Sequence, residues 1–184
     1  MDNLPIVEGR SCDGCTKCCE GYLVGVVNEK QFGFGEPCFL VQIGKGCKDY
    51  ENRPEYPCKA FQCEWLINPD VPEDYKPSES NVIMSTRYID ENTKYLELIE
   101  AGEKLNPSVL SWSIGYSLEN ESNLLWSISD DTFWVGDEEF NDLMNSSIES
   151  SEEYVQESMG AFFPPQFNEF EHYKFNFEDD SETD

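Results

Sequence analysis

Cysteine is the residue in this sequence whose type and spacing most clearly indicate chemistry. All eight cysteines of the 184-residue chain lie within its first 63 residues, and the remaining two thirds contain none. Thiols packed this densely either cross-link a small secreted domain or hold a metal. The array begins with C-x2-C steps, which let two thiolates approach one metal from a single turn. The eight residues are Cys12, Cys15, Cys18, Cys19, Cys38, Cys47, Cys58 and Cys63.

Two observations favour metal over disulfides. Residues 1–8 lack the basic and apolar regions of a secretory signal peptide, and no apolar run approaches the roughly 18 to 20 residues that span a bilayer. We therefore expect a cytoplasmic, reducing location, where disulfides are uncommon. Side chains of adjacent residues diverge, so Cys18 and Cys19 are expected to serve different partners. Metal binding is the favoured interpretation.

The number of thiols bears on which metal they would hold. Eight thiolates match two four-thiolate sites, which suit two tetrahedral zinc ions or two iron–sulfur clusters. One cluster with four remaining structural or reactive thiols is an alternative that the spacing leaves open. Soft thiolate ligands exclude calcium and magnesium as the native metal. Zinc is slightly favoured, because thiolates without an open position are typical of structural zinc sites.

The charge of the chain is strongly acidic and unevenly distributed. It has 38 Asp and Glu against 12 Lys and Arg, for a formal net charge of −26. Residues 1–66 carry ten acidic and seven basic side chains, so nearly all of the excess lies from residue 67 onward. Nucleic acids and anionic membrane surfaces are bound by clusters of Lys and Arg. We therefore expect neither direct nucleic-acid binding nor membrane binding.

Composition divides the chain into four segments and indicates an α+β fold. Residues 1–66 form a loop-rich module that metal ligation would stabilise, by on the order of 10 kcal/mol for a structural zinc site. Residues 67–80 contain three prolines and are predicted to be a connector. Residues 81–144 are predicted to be a small antiparallel β-hairpin-plus-helix region. Residues 145–184 are predicted to be a flexible, acidic tail that contains aromatics.

Local patterns predict the regular elements of this fold. An apolar run at 22–27 predicts a strand. Asn106-Pro107 is typical of a helix N-cap followed by proline at the first helical position, so a helix is predicted over 108–118. On this helix Leu110, Ile114 and Leu118 share one face. The other predicted elements are a hairpin of 82–90 and 94–101, a hairpin of 124–129 and 132–135, and a short helix over 137–144.

The cysteine array also carries a more specific pattern than its spacing. Residues 12–19 read Cys-Asp-Gly-Cys-Thr-Lys-Cys-Cys, and a second part of the pattern follows. The second part consists of Pro37-Cys38-Phe39-Leu40, Gly46-Cys47, Tyr50-Glu51-Asn52-Arg53-Pro54, Cys58, Phe61 and Cys63. Over residues 12–66 the chain thereby resembles the YkgJ-type family of zinc- or iron-chelating proteins, which a C-x-x-C-x-x-C-C motif defines.

The resemblance implies that all eight cysteines are candidate metal ligands and that Tyr50 and Arg53 lie beside them. A surface ion pair with Glu51 is the alternative role for Arg53. A flagellin lysine methylase shares the motif and is associated with a 4Fe–4S cluster, so the resemblance makes iron–sulfur a serious alternative to zinc. The chain lacks a glycine-rich strand–turn–helix signature for S-adenosylmethionine, so that enzymatic role is not expected.

The tail contains a candidate partner-binding segment. Gln156, Met159, Phe162 and Phe163 have the Gln-x2-aliphatic-x2-aromatic-aromatic spacing of sliding-clamp-binding peptides, which insert a short helical turn into a groove. Packing of these aromatics onto the second region is the competing interpretation. His172 is the sole histidine, and it is predicted to be structural or solvated. We therefore expect no histidine-based catalytic triad.

These patterns predict a metal-binding protein with a structural role or a redox and metal-handling role, and they identify no catalytic residue. The alternative is an adaptor that acts through the tail, in which the metal only stabilises the fold. An enzyme that uses an iron–sulfur centre is a third hypothesis.

Overall fold

The structure is a computed structural model, and it describes residues 4–90, 93–102, 104–128 and 131–146. Both helices and strands are present, as the predicted α+β class requires. Within these ranges no helix has the length and apolarity needed to cross a membrane. The strands are β1 Gly25–Val27, β2 Lys30–Phe32, β3 Val41–Gln42, β4 Gly46–Cys47, β5 Val82–Tyr88, β6 Lys94–Glu100, β7 Asn123–Ile128 and β8 Asp131–Val135. The helices are α1 Glu64–Ile67, α2 Pro77–Ser80, α3 Pro107–Glu119 and α4 over 138–146.

The chain before α1 forms two small antiparallel hairpins, β1–β2 and β3–β4, connected by turns. Asn28 and Glu29 join β1 to β2, and both have positive φ, as a type I′ turn requires. The strand predicted over 22–27 is shorter than expected and begins at Gly25. Its partner strand ends before Gly33, whose φ of +122° turns the chain and limits the length of the pairing.

Residues 82–135 contain a four-stranded sheet in the order β5-β6-β7-β8. The outer pairs, β5–β6 and β7–β8, are antiparallel hairpins, as predicted. The central pair, β6–β7, is parallel, which the sequence did not predict. A parallel pair needs a crossover connection, and α3 provides it. The two predicted hairpins are therefore parts of one mixed sheet.

Side-chain caps define where the two longer helices begin. The side chain of Asn106 accepts a hydrogen bond of 3.0 Å from the backbone amide of Ser108, so α3 begins as predicted. The carboxylate of Asp137 accepts a hydrogen bond of 2.8 Å from the backbone amide of Phe140 and caps α4. Both caps satisfy backbone donors that the first turn of a helix leaves free.

The face of α3 that packs on the sheet differs by one residue from the apolar face in the sequence. Val109, Ser113 and Ser117 are buried, whereas Leu118 is 53% exposed. The hydroxyl of Ser113 lies 4.0 Å from the sulfur of Met84 on β5. Small serine side chains at this face let the helix backbone approach the sheet closely.

Two clusters of buried hydrophobic residues are present in the described ranges. We call the larger one the sheet core, and it lies between the sheet, α1 and α3. The smaller one, the hairpin cluster, lies at the β1–β2 hairpin and contains Val27, Phe32 and Cys38. The sheet core contains Cys63, Trp65, Leu66, Val71, Val82, Ile83, Met84, Leu98, Ala101, Leu105, Val109, Leu124 and Trp126.

Candidate metal centre

The first four cysteines lie on one loop that backbone hydrogen bonds close into turns. The amide of Cys15 donates to the carbonyl of Cys12 at 3.0 Å, and the amide of Cys19 donates to the carbonyl of Thr16 at 2.8 Å. A short 3₁₀ turn, Lys17–Cys19, carries the last two cysteines of this loop. The local backbone therefore fixes the spacing between these four thiols.

Cys63 is the residue from which α1 begins, and its carbonyl accepts a hydrogen bond of 2.9 Å from the amide of Leu66. The carbonyl of Leu66 in turn accepts a hydrogen bond of 3.0 Å from the amide of Val7. The chain that leads into Cys12 is thus held against the helix that Cys63 caps. Cys12 and Cys63, which are 51 positions apart in the sequence, are brought into the same region of the fold in this way.

Arg10 also joins the chain just before Cys12 to α1, through more hydrogen bonds than Val7 makes. Its guanidinium donates to the carbonyls of Trp65, Asn68 and Val71, at 2.5, 2.8 and 2.6 Å. The guanidinium carbon also lies 5.3 Å from the centre of the Trp65 ring, within the range of a cation–π contact. One side chain therefore satisfies three backbone carbonyls around α1.

A chain of backbone contacts links Cys19, Cys38 and Cys47. The amide of Cys38 donates to the carbonyl of Cys19 at 2.8 Å, and the amide of Val41 donates to the carbonyl of Cys38 at 2.9 Å. Val41 lies directly opposite Cys47 in the β3–β4 hairpin. These three cysteines are therefore positioned by one continuous set of main-chain interactions.

Cys58 lies in an irregular turn, Glu55–Lys59, next to the β1–β2 hairpin. A Cβ atom added at Gly25 would lie 3.0 Å from Cγ of Pro57, so β1 and this turn are in close contact. Cys58 packs against the hairpin cluster. Glycine at position 25 allows that approach.

All eight cysteines line one cavity of about 480 Å³. They reach it from the loop 12–19, from the chain around β3–β4, from the turn Glu55–Lys59 and from the start of α1. None of them forms a disulfide. Cys38 and Cys63 are buried, whereas Cys12 is exposed. The fold thus brings together every cysteine that the sequence marks as a candidate ligand.

The thiol of Cys18 lies near several other thiols. Burial raises this pKa well above its ordinary value, and the thiols of Cys63, Cys15, Cys19 and Cys12 raise it further. Burial also raises the pKa of Cys63 to about 12, with Cys12 and Cys15 as its thiol neighbours. Cys12, Cys15 and Cys63 act on Cys18, and Cys12 and Cys15 also act on Cys63, whereas Cys19 is the residue next to Cys18 in the chain. We call Cys12, Cys15, Cys18 and Cys63 the loop group.

A second set of thiols surrounds Cys19. Burial raises the pKa of Cys19 to about 12, and the thiols of Cys38, Cys58 and Cys47 raise it further. Burial likewise raises the pKa of Cys58, with Cys38 and Cys47 as its thiol neighbours. We call Cys19, Cys38, Cys47 and Cys58 the hairpin group.

Neither group is a preformed metal cage. Among the residues that the structure describes, no three or more His, Cys, Asp or Glu side chains have their donor atoms arranged to hold a metal ion as they stand. Raised pKa values favour the protonated form of the metal-free thiols of Cys12, Cys18, Cys19, Cys58 and Cys63, and a metal binds the thiolate form. The donor set fits a thiophilic metal in type and number, and binding would include proton release and movement of the sulfur atoms toward one another.

Tyr50 and Arg53 form a stacked pair beside the cysteines. The Nε of Arg53 donates to the carbonyl of Tyr50 at 2.9 Å, and its guanidinium carbon lies 3.4 Å from the centre of the Tyr50 ring. Both residues line the cavity. The positive charge of Arg53 opposes the rise in pKa that burial causes at Cys12, Cys19 and Cys58. Arg53 therefore acts on thiols of both groups.

Two residues that support the site were not singled out from the sequence. Arg10 contacts residues 55 to 61 positions away, and no local pattern signals such a contact. Thr16 is buried, and its hydroxyl accepts a hydrogen bond of 2.9 Å from the amide of Gly44. The Thr16 hydroxyl also donates to the carboxylate of Glu20. Thr16 thereby joins the cysteine loop to the turn between β3 and β4, and its position inside the cysteine motif could have drawn attention to it.

The tail residues predicted from the sequence lie outside the described residues. They are Gln156, Met159, Phe162, Phe163 and His172, and the adaptor hypothesis that depends on the first four stays a prediction.

Comparison of the chain with models of known protein families, with characterised proteins and with solved structures finds no match. The family resemblance over residues 12–66 therefore stays an expectation, and function is inferred from the arrangement of the thiols.

Proposed function

We propose that this protein binds metal through its N-terminal cysteines and that the metal holds the N-terminal fold together. The observation that carries this proposal is the convergence of eight free thiols on one cavity. Cysteines that only fill hydrophobic space behave as small apolar residues. Hydrophobic packing alone would not bring all eight of them from four parts of the chain to one cavity. Gathered thiols in a reducing environment are typical of metal ligands.

The weak packing of the N-terminal hairpins supports a structural role for the metal. The hairpin cluster has three buried members, and one of them is Cys38. Nearby apolar side chains remain largely in solvent, with Val26 57%, Phe34 67% and Ile43 66% exposed. So small a core offsets little of the entropy lost when the chain becomes ordered. Metal ligation can supply on the order of 10 kcal/mol to such a segment.

The electrostatics of the thiols favour a cation at this site over free thiolates. Burial and neighbouring thiols raise the pKa of Cys18, Cys19 and Cys63, so metal-free thiolates would be costly there. A divalent cation offsets both the burial cost and the repulsion between thiolates. Zinc is the favoured metal for a structural role, and an iron–sulfur cluster is the alternative that uses the same ligands.

The test is anaerobic purification of the full chain, followed by metal analysis and a visible absorption spectrum. Bound zinc with no visible absorption supports the structural proposal, and bound iron with a charge-transfer spectrum supports the iron–sulfur alternative. Metal-free protein reconstituted with Mg²⁺ in place of Zn²⁺ is the control, because hard cations are poor partners for thiolates. A protein that holds neither zinc nor iron and has its thiols paired as disulfides would contradict metal binding.

A further inference from the structure

We propose that the eight cysteines form two separate four-thiolate metal sites and that the chain passes from one site to the other between Cys18 and Cys19. The loop group, Cys12, Cys15, Cys18 and Cys63, would hold one metal, and the hairpin group, Cys19, Cys38, Cys47 and Cys58, would hold the other. This inference rests on the proposed function and adds to it the number of sites and the ligands of each.

The packing of the two adjacent cysteines separates the sites. Cys18 packs against the sheet core, to which Cys63 belongs. Cys19 packs against the hairpin cluster, to which Cys38 belongs and which Cys58 also contacts. Neighbouring side chains thus enter different hydrophobic clusters, and each meets other cysteines there.

The loop group is assembled by contacts to α1 and to the chain that follows it. Cys12 and Cys15 lie on one hydrogen-bonded turn, and the ammonium of Lys76 donates to the carbonyl of Asp13 within that turn at 3.0 Å. Arg10 fastens the chain just before this turn to the carbonyls around α1, at whose start Cys63 lies. None of these contacts involves a residue of the hairpin group.

The hairpin group is assembled by a different set of contacts. Backbone hydrogen bonds join Cys19 to Cys38 and Cys38 to Val41, and Val41 pairs with Cys47. The turn that carries Cys58 packs on β1.

Each group has the composition of a closed structural zinc site. Four thiolates complete the tetrahedral shell of one zinc ion and leave no position for water or substrate. Two such sites use all eight thiols. The competing arrangement is a single cluster in which bridging thiolates are shared between metals, and it would make the two groups inseparable.

The experiment uses the full chain loaded with ¹¹³Cd²⁺ under anaerobic conditions, with cadmium content and ¹¹³Cd NMR as measurements. The wild type is expected to bind two equivalents and to show two resonances. C18S is expected to lose one equivalent and one resonance, and C19S to lose the other resonance while it keeps the first. C12S should lose the same resonance as C18S, which tests membership of one group.

Variants at one further position of each group cover the case in which C18S or C19S fails to fold. Cys15 belongs to the loop group and Cys47 to the hairpin group. C15S and C47S should therefore each retain one equivalent of cadmium, and each should lose a different resonance. Loss of the same resonance in C15S and C47S, or loss of both metals in each, would show that the sites are not independent and overturn the inference. Failure of the wild type to bind cadmium would instead contradict the proposed function itself.

Discussion

The backbone amide of Cys38 donates a hydrogen bond of 2.8 Å to the carbonyl oxygen of Cys19. This bond closes the loop that contains the β1–β2 hairpin and brings Cys38 next to a thiol 19 residues earlier in the chain. Cys18, one residue before, packs toward the sheet core instead. The bond therefore marks the point where the chain leaves one thiol group and enters the other.

Removal of the metal is expected to loosen the N-terminal hairpins and leave the sheet intact. The hairpin cluster is small, whereas the sheet core contains thirteen buried residues, of which only Cys63 is a proposed metal ligand. Hydrogen–deuterium exchange of metal-loaded and chelator-treated protein should show lost protection across residues 20–47 and little change across 82–100. Equal protection of residues 20–47 in both samples would contradict a structural role for the metal.

Arg10→Met is expected to lower the free energy of unfolding by about 2–4 kcal/mol, because it removes three charge-assisted hydrogen bonds to backbone carbonyls. The matched control is Arg87→Met, which removes a cross-strand ion pair with Glu97 at a half-exposed position. Such pairs are worth about 1 kcal/mol or less. Urea denaturation of both variants measures the difference, and equal losses would contradict the fastening role of Arg10.

Gly21→Ala is expected to reduce both stability and metal content more than Gly35→Ala. Both glycines have positive φ, of +101° and +86°, so both substitutions strain the backbone by about 1–2 kcal/mol. A Cβ at Gly21 would also lie 2.7 Å from the carbonyl carbon of Gly35, whereas a Cβ at Gly35 meets open space. Metal per chain and denaturation midpoints measure the contrast. Matching values for the two variants would mean that the close approach at Gly21 is not required.

Metal-free protein is expected to lose stability as pH rises above about 9, whereas metal-loaded protein is not. Burial raises the pKa of Cys63 to about 12 from an ordinary value of 9.0 and raises the pKa of Cys18 well above that value. Cys63 belongs to the sheet core and Cys18 packs against it, so the folded metal-free state keeps protons that the unfolded state has released. In the loaded protein these thiols have already lost their protons to bind metal. Its stability therefore rises with pH up to about 9, where the unfolded thiols also deprotonate.

Anaerobic urea denaturation between pH 8 and 11 measures both slopes. Cys63→Ser in metal-free form is the control, because the serine hydroxyl does not titrate in this range, and its stability should fall less steeply. A metal-free wild type whose stability is flat or rises over this window would contradict the burial of these thiols.

The elements that the sequence predicts correctly are those with local signals. The hairpins around residues 82–101 and 123–135 follow from strand patterns with short turns between them, and α3 follows from the cap at Asn106. The parallel pairing of β6 with β7 has no local signal in the sequence. It depends on how α3 packs on the sheet and returns the chain to the edge of β6. The buried face of α3 was missed for a related reason, since Ser113 and Ser117 are buried by close packing and not by their own hydrophobicity.

In the candidate site, too, the sequence predicts the local features and misses the contacts between distant residues. The sequence identifies all eight thiols as candidates, because cysteine density and C-x2-C spacing are local features. It does not show how they group, because Cys18 and Cys63 become neighbours only through contacts such as those of Arg10. Spacing is equally compatible with one shared cluster, whereas the fold packs Cys18 and Cys19 against different clusters of buried residues.

The most direct test of metal binding by these thiols is a paired count of metal and reactive thiol in anaerobically purified full-length protein. The two proposed sites predict two zinc ions per chain, or the iron of iron–sulfur clusters. Almost no thiol should react quickly in the native state. After denaturation with a chelator, all eight thiols should react. A native protein without zinc or iron, and with fewer than eight thiols after denaturation, would contradict the account.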